Sequence, residues 1–519
     1  MEKKPGVFIR EATGLVREFS WFDAFAITWN ATIVFSLFIV TPAVGLFPGT
    51  NPMIALVLLF VLAMFYAVNF GWLAMAMPRS GGPYVYNTRV LHPAVGFMGE
   101  FLLAINYILS GAVIFNILIS WTLSWFLSSL GFAEAASMVT QPSVLFALAS
   151  IVVIIAVLLN LFPKSLSWFF RATIALSLVG AAVLLPAMLS GFGRFPELFT
   201  KATGVDYNSI IPLAMQNGFG TGHNWTSTML TLAWLGPFWL GFGGVYIAGE
   251  VKNVRKSMLW GTVGANITFN ICYIVFVGSI YLVSGYTWYN ALSWLYDKGG
   301  TAYPLAFDPS IQNMAAIMVP YPWVGPVVAF TMLASMSALI PVFHLWISRG
   351  TFMWAFDRLL PEKYTEVSER LHTPIIALVA TSIVLEIALA ISIFSGLFSV
   401  WLNAAWLGAV GILITSVSGM LLPYVSKTKK IYESAPAIVR TKVAGVPLIT
   451  IGGTGTFLFM AIFFVTAAMN PSVNPLGESQ MLSIPILCII GLAYFYLAKY
   501  YRQRQGIDLS IAYKELPPE

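Results

Sequence analysis

The chain has 519 residues, of which 58% are hydrophobic and only 9% are charged. Soluble domains carry about 25% charged residues, so this composition excludes a water-soluble globule and predicts an all-α polytopic membrane protein. The net charge of +6 arises from basic residues scattered singly between apolar segments, which favours charge sorting across a membrane over a nucleic-acid-binding patch.

Apolar runs long enough to cross a bilayer recur along the whole chain. The N-terminal segment MEKKPGVFIREATGLVRE is charged for too long to be a cleavable signal peptide, so the first run is expected to be retained. With a cytoplasmic N-terminus, only Arg194, Lys201 and Lys298 of the 27 Lys and Arg residues fall in external loops, which predicts twelve spans and two cytoplasmic termini. The predicted spans lie near 22–45, 53–77, 95–128, 143–162, 168–190, 228–249, 258–283, 324–347, 374–396, 399–422, 446–468 and 482–501.

Residue types that carry metal or covalent chemistry are few and dispersed. Cys272 and Cys488 fall in separate apolar runs, and the four histidines are spread over different spans and loops. This distribution gives no disulfide framework, no metal-binding cluster and no convergent catalytic set. We therefore expect no enzyme activity, no metal site and no cofactor. A channel is also disfavoured, because no short filter sequence or ring of charges is evident.

Two predicted external connections, about 191–227 and about 284–323, are long and are aromatic and apolar rather than charged. We expect them to form short helices or lids over the external face. The alternative is that they are passive loops.

Predicted span six is interrupted by helix-breaking residues. Trp234 to Lys256 reads WLGPFWLGFGGVYIAGEVKNVRK, with Gly236-Pro237 and then Gly241, Gly243 and Gly244 inside the apolar run. A broken backbone is tolerated in a membrane only where it faces protein or a water-filled cavity, and transporters bind solutes at such breaks. The alternative is a glycine-rich helix that packs closely on its neighbour.

Predicted span one carries a polar interruption of its own, Thr28-Trp29-Asn30-Ala31-Thr32. Five spans separate the starts of spans one and six, and an odd-numbered block that is repeated once must be inverted in the membrane. Paired interruptions at corresponding positions predict a binding site between them. The alternative for Asn30 and Thr32 is ordinary hydrogen bonding between helices.

Three stretches resemble motifs of the amino acid–polyamine–organocation (APC) superfamily. Pro78-Arg79-Ser80-Gly81-Gly82-Pro83-Tyr84-Val85-Tyr86 is similar to its PxSGGxYxY loop, and Glu250-Val251-Lys252-Asn253 to its EVKNP signature, with Val254 in place of proline. Ser348-Arg349, Asp357-Arg358-Leu359-Leu360-Pro361 and His372-Thr373-Pro374 resemble the stretch that follows span eight. The resemblance covers roughly residues 20 to 500.

The resemblance implies a LeuT-like (APC) fold of 12 transmembrane helices, with a 5+5 inverted repeat and two further C-terminal helices. The boundaries are then a cytoplasmic N-terminal segment 1–21, repeats 22–190 and 228–422, an extracellular loop 191–227, a cytoplasmic loop 423–445, the last spans 446–501 and a cytoplasmic tail 502–519. Family members move amino acids, polyamines or related organic cations by alternating access. We therefore expect a plasma (cytoplasmic) membrane permease for amino acids or related amines.

The substrate site that the resemblance implies lies at the breaks in spans one and six, with aromatic rings that stack on the substrate or attract its ammonium group. It comprises Thr28, Asn30, Ala31, Thr32, Tyr107, Phe238, Gly241, Phe242, Gly243 and Gly244. The family's usual Gly-x-Gly in span one is absent, which argues against backbone capture of a carboxylate there. Other organic solutes, such as a polyamine, nucleobase or carboxylate, stay open as substrates, and so does a non-transporting nutrient sensor of the same fold.

The coupling ion is open between Na⁺ and H⁺. Some family members place a lysine in span five that substitutes for sodium, and this chain lacks it, which favours a sodium site. Span eight offers Thr331, Ser335 and Ser337 as oxygen ligands, although Ser335 and Ser337 lie about 200° apart on a helix. The alternative is that these small hydroxyl residues pack helices together. Glu386 lies within span nine and is expected to be protonated and bonded to a neighbouring helix, with a proton relay as the alternative.

Overall fold

The computed structural model describes residues 12–39, 43–235, 241–319, 321–395, 405–468, 470 and 478–517. This part of the chain is mostly helical, with one antiparallel hairpin of strands Lys442–Val443 and Val446–Pro447. One principal helix lies at each predicted apolar run: α1 Trp21–Ile39, α2 Pro52–Ala76, α3 Pro93–Ser129, α4 Pro142–Leu161, α5 Pro163–Ser190, α6 Trp225–Leu235, α7 Val254–Ser284, α8 Val324–Phe356, α9 Ile375–Phe394, α10 Ala405–Leu421, α11 Leu448–Ala468 and α12 Glu478–Arg504.

Nine helices of the described residues are long and apolar enough to cross a membrane. The pair Trp406–Leu421 and Ser426–Ser434, bent by 78°, would make a tenth span if it crosses as one unit. A polytopic helical membrane protein is therefore confirmed. The count of twelve spans and the inverted repeat stay predictions.

Several helices begin at a proline, whose fixed φ suits the first helical turn and whose missing N–H is not needed there. Pro52, Pro93, Pro142 and Pro163 start α2 to α5 in this way. Side-chain caps support some of these starts, since Asn51 Oδ1 accepts from Ile54 N at 3.1 Å before α2. The chain thus marks its helix starts with local signals as well as with hydrophobicity.

The two long connections fold as short helices, as predicted. The first contains Phe195–Thr203, the 3-10 turn Tyr207–Ser209 and Ile210–Gln216, and the second contains Tyr286–Lys298 and Ile311–Met318. Trp288 is buried where the two connections meet, with its ring stacked 4.8 Å from that of Tyr207. These segments therefore form one packed layer.

Helix α1 lies among α5, α7 and the 3-10 turn Gly243–Ile247. A second group packs α10 against α3 and α11, and α11 against α2. Helix α12 buries little of its surface, as expected for a helix that faces lipid. α3 and α7 each contain one π-helical turn, at Leu118–Leu123 and Leu259–Gly264, a feature that often marks functional regions of a helix.

Candidate functional site

Residues 241–253 are not α-helical. The described part of helix α6 is Trp225–Leu235, a 3-10 turn covers Gly243–Ile247, and α7 begins only at Val254. The predicted interruption of span six is therefore confirmed for residues 241–253. Phe238, which the sequence placed at this site, lies outside the described residues. We call residues 241–250 the broken segment.

The predicted interruption within span one is wrong. α1 runs as a continuous helix from Trp21 to Ile39, through Thr28, Asn30, Ala31 and Thr32. Threonine and asparagine cost only about 0.5–0.7 kcal/mol each relative to alanine in a helix, and the stretch contains no glycine or proline. Their polar side chains also find partners that leave the helix intact.

Asn30 and Thr32 make the interhelical and local bonds that the alternative reading expected. The Asn30 amide donates to Phe170 O at 3.3 Å and to Thr173 Oγ1 at 3.0 Å on α5. The Thr32 hydroxyl donates to Thr28 O, one turn back, at 3.0 Å. Asn30 therefore faces α5 rather than the broken segment, and Ala31 is buried.

Thr28 is the residue of α1 that joins the broken segment. Its hydroxyl accepts from Gly244 N at 2.9 Å and donates to Gly261 O at 2.6 Å. Gly261 lies in the π-helical turn of α7. One side chain thus satisfies a donor from the broken segment and an acceptor from α7, and so ties three elements together.

Close approach explains the glycines. A Cβ on Gly244 would lie 2.8 Å from Ala24 O of α1, and one on Gly243 would lie 2.6 Å from Cζ2 of Trp346. A Cβ on Gly241 would lie 2.3 Å from Asn266 Oδ1. Side chains at these positions would push the broken segment away from its neighbours, so glycine is needed for packing here.

Two carbonyl groups of the broken segment accept hydrogen bonds from side chains of α7 and α8. Asn266 donates to Gly241 O at 2.7 Å, and the Trp346 indole donates to Gly243 O at 3.1 Å. The Asn266 carbonyl oxygen is buried without a partner among the described residues. In a continuous α-helix the carbonyls of Gly241 and Gly243 would accept backbone hydrogen bonds within the helix. Here they accept from side chains of neighbouring helices, and the unpartnered Asn266 Oδ1 lies beside them.

An aromatic cluster surrounds these groups. The rings of Phe242 and Trp346 stack with centroids 6.0 Å apart, and Tyr107 lies 4.8 Å from Trp346. The Tyr107 and Tyr246 hydroxyls are 3.1 Å apart, and Tyr246 donates to Glu100 Oε1 at 2.9 Å. The structure thus brings Thr28, Tyr107, Gly241, Phe242, Gly243 and Gly244 into one region.

The sequence reasoning missed Tyr246, Asn266 and Trp346. Tyr246 stands between the glycines and Glu250, which was a usable signal. Trp346 is one of 17 tryptophans in the chain, and nothing in the sequence around it distinguishes it from the others. Its role depends on α8 packing beside the broken segment.

Two of the predicted ion ligands lie together and the third does not. Thr331 and Ser335 line a cavity of about 80 Å³ between α1, α5, α7 and α8, and the Ser335 hydroxyl bonds that of Ser177 on α5. Gln312 also lines this cavity and is 2% exposed, yet both atoms of its amide lack partners among the described residues. Ser337 is not among the lining residues and donates to Ala334 O at 2.7 Å.

Two buried ion pairs involve residues of the motifs that resemble the superfamily. Arg349 of α8 bonds Glu250 at 3.0 and 2.8 Å, and Ser80 donates to the same carboxylate at 2.9 Å. Arg89 bonds Asp357 at 2.6 and 2.9 Å. Charged side chains that are buried in a membrane protein pair with opposite charges. We call the end of the helix bundle that contains these two ion pairs the basic end.

Glu386 and Asp23 also pair with neighbouring helices. The Ser150 hydroxyl of α4 donates to Glu386 of α9, which confirms the expected bond between helices, while its protonation stays a prediction. Asp23 accepts from Arg171 of α5 at 2.9 and 3.0 Å. Both contacts support packing away from the broken segment.

A profile of the family described as amino acid permease matches residues 19–493. The matched region includes α1, the broken segment, both buried ion pairs and most of α12. No curated protein matches the chain.

Proposed function

The chain belongs to the amino acid permease family, which is a family of transporters and not of enzymes, and from this premise we propose that it carries an amino acid or a related amine by alternating access. The substrate binds between α1 and the broken segment. The observation that carries this proposal is the backbone at residues 241–250, which is not α-helical and in which Gly241 O, Gly243 O and Gly244 N are bonded by side chains of three different helices.

The chemistry of these groups suits a zwitterion or an amine. The carbonyls of Gly241 and Gly243 are acceptors for an ammonium group, and the Gly244 amide with the Thr28 hydroxyl can donate to a carboxylate. In the described structure Asn266, Trp346 and Thr28 bond these groups instead. Substrate therefore replaces hydrogen bonds that already exist, and this exchange reduces the cost of desolvating the site.

The aromatic cluster would contact the part of the substrate beyond its ammonium and carboxylate groups. Phe242 and Trp346 offer ring faces that attract a cation or pack against an apolar side chain. These rings are packed against each other, so substrate entry requires them to separate. An aromatic lining of this kind selects an organic solute over a bare ion.

We propose that the predicted topology applies, with twelve spans, repeats 22–190 and 228–422, and spans 446–501 outside them. The basic end then faces the cytoplasm of a cell bounded by the plasma membrane, because it carries the motif loops and most of the Lys and Arg residues. The pairs Glu250–Arg349 and Arg89–Asp357 close this end. Alternating access requires these contacts to separate when the site opens there.

A ligand screen tests the substrate class. Purified protein is heated with amino acids, polyamines or nucleobases, each with and without Na⁺, because a ligand that binds the native state raises Tm. Hits are then tested for tracer uptake in proteoliposomes. We expect an amino acid or amine to raise Tm and to accumulate. Stabilisation by another solute class alone would refute the substrate assignment, and binding without uptake would indicate a sensor.

Replacing Thr28 with Val should lower the free energy of unfolding by about 1–3 kcal/mol, because Val keeps the shape but leaves Gly244 N–H and Gly261 O without partners. Substrate affinity should fall as well. Thermal unfolding and ligand titration measure both. Thr28→Ser keeps the hydroxyl and serves as the matched control. Equal behaviour of the Val and Ser variants would contradict the role of this hydroxyl.

We propose Na⁺ as the coupling ion, bound by the oxygens of Thr331, Ser335 and Gln312 in the small cavity beside α1. Ser335→Ala should raise the half-saturating Na⁺ concentration for uptake about tenfold, since it removes one ligand from a charged group. Ser337→Ala is the matched control and should leave this concentration unchanged. Uptake that is independent of Na⁺ would refute this assignment.

A further inference from the structure

A second cavity, of about 300 Å³, lies at the basic end, away from the broken segment. It is bounded by the start of α3, the segment after α10, the end of α12 and the short C-terminal helix Leu509–Ala512. Water occupies about 30 Å³ per molecule in the liquid, so this volume could hold about ten waters or a phosphate group with an organic substituent. The proposed transport mechanism does not use this cavity.

The lining is cationic. Lys427, Lys499 and Lys514 each contribute a side chain from a different segment, and no Asp or Glu is among the lining residues. None of the three lysines forms an ion pair within the described part of the chain. Asp508 lies nearby, but its carboxylate caps Ser510, at 2.9 Å from both the amide and the hydroxyl.

Two further groups add hydrogen-bond donors. His92 Nδ1 accepts from Ala94 N at 3.3 Å, so the proton of the neutral ring sits on Nε2, which is left as a donor. Arg89 is neutralised by Asp357 and contributes packing rather than free charge. Partial burial lowers the pKa of the Lys427 amine, and a bound anion would favour its charged form.

We propose that this cavity is a binding site for a phosphate-bearing anion, held by Lys427, Lys499 and Lys514. Lys427 donates to Leu91 O, and none of the three ammonium groups forms an ion pair among the described residues. Around one concave site they create a positive potential that a compact multivalent anion neutralises better than chloride does. Basic pockets between helices at the cytoplasmic surface are also where anionic lipid headgroups bind. α12, which supplies Lys499, exposes most of its surface, so a lipid can reach the cavity from the side.

Binding there would fasten the C-terminal segment to the bundle. Lys514 belongs to that segment, whose backbone already accepts from Arg89 at Ala512 O, 3.4 Å, and Glu515 O, 3.3 Å. The Tyr513 hydroxyl also lies 3.4 Å from that of Tyr84. An anion bridging Lys514 to Lys427 and Lys499 would therefore stabilise the closed arrangement around Arg89 and Asp357.

The test uses the purified full chain, freed of lipid in neutral detergent, at matched ionic strength. Tm is measured against phosphatidylglycerol, phosphatidylcholine, inorganic phosphate and pyrophosphate, and native mass spectrometry counts retained phospholipid. We expect a phosphate-bearing anion to raise Tm, with half-saturation weakened about fivefold in Lys514→Gln and about a hundredfold when all three lysines are Gln. Lys430→Gln, on the same segment as Lys427 but not lining the cavity, is the matched control and should bind as the wild type does.

Each outcome decides the matter. A response to phosphatidylglycerol alone identifies a lipid headgroup, and a response to pyrophosphate or phosphate without lipid identifies a soluble anion; both support the site. The proposal is overturned if no phosphate-bearing probe raises Tm more than chloride does, or if Lys514→Gln and Lys430→Gln respond alike. Loss of substrate uptake plays no part in this readout, so the site and the transport proposal fail independently.

Discussion

Replacing Arg349 with Met should lower the free energy of unfolding by about 3–5 kcal/mol, because it leaves the Glu250 carboxylate buried without its counter-charge. Both side chains of the pair are at most 3% exposed, and the guanidinium makes two hydrogen bonds to the carboxylate, at 3.0 and 2.8 Å. Ser80 supplies one further donor, at 2.9 Å, which cannot replace a full charge. Chemical denaturation in detergent, with Tm as a second readout, measures the loss.

A double variant separates the cost of an orphaned charge from the net value of the pair. Glu250→Leu combined with Arg349→Met removes both charges, and replacing a whole buried pair with apolar residues is often close to neutral. The double variant should therefore be more stable than either single one. The exposed pair Lys429–Glu433, at 3.9 Å, is the control, and Lys429→Met should cost no more than about 0.5 kcal/mol. Additive losses at the buried pair would contradict this account.

The same double variant also bears on transport. Glu250 ends the broken segment and Arg349 belongs to α8, so the pair couples the proposed substrate site to the basic end. In the proposed mechanism this contact must break in each cycle. A variant with the pair removed should still fold. It should favour the closed conformation of the basic end less strongly, because a buried ion pair can specify one conformation without adding net stability.

The helix positions were predictable from the sequence because each depends on a local property. Runs of about 20 apolar residues and prolines at the first turn are properties of single segments, and a helix lies at every predicted run. The break at residues 241–253 was equally local, since Gly241, Gly243 and Gly244 weaken any helix. The number of helices that cross the membrane is a different question, because it depends on whether short or bent helices such as Trp406–Leu421 with Ser426–Ser434 cross as one span.

The break expected at Thr28–Thr32 was wrong because it depended on partners that a sequence does not display. A polar residue in an apolar helix can interrupt the helix or bond a neighbour, and the outcome depends on what packs there. Thr28 meets Gly244 and Gly261, and Asn30 meets Thr173, so both retain helical backbone. The same limit hid Trp346, whose indole reaches Gly243 O only after α8 has packed beside it.

Gly244→Ala should reduce substrate uptake about tenfold or more, because the added Cβ would lie 2.8 Å from the backbone oxygen of Ala24. No side chain can move aside at this contact, so α1 and the broken segment must separate. Overpacking of this kind costs about 1–3 kcal/mol, and the shift would also lengthen the Gly244–Thr28 hydrogen bond, now 2.9 Å. Uptake in proteoliposomes and Tm in detergent are both expected to fall.

Gly278→Ala, on the neighbouring helix α7, is a control in which the added Cβ should raise stability rather than lower it. Its Cβ would meet only Met53 Cε, at 3.6 Å, and alanine is favoured over glycine inside a helix by about 1 kcal/mol. This variant should therefore be as active as the wild type and slightly more stable. If Gly244→Ala also retains full uptake, transport does not need close contact between α1 and the broken segment. The proposal that substrate binds between them would then be refuted. If only Gly244→Ala loses uptake and the variant still folds, the close contact is needed for transport. A general packing defect would lower uptake only by unfolding the protein.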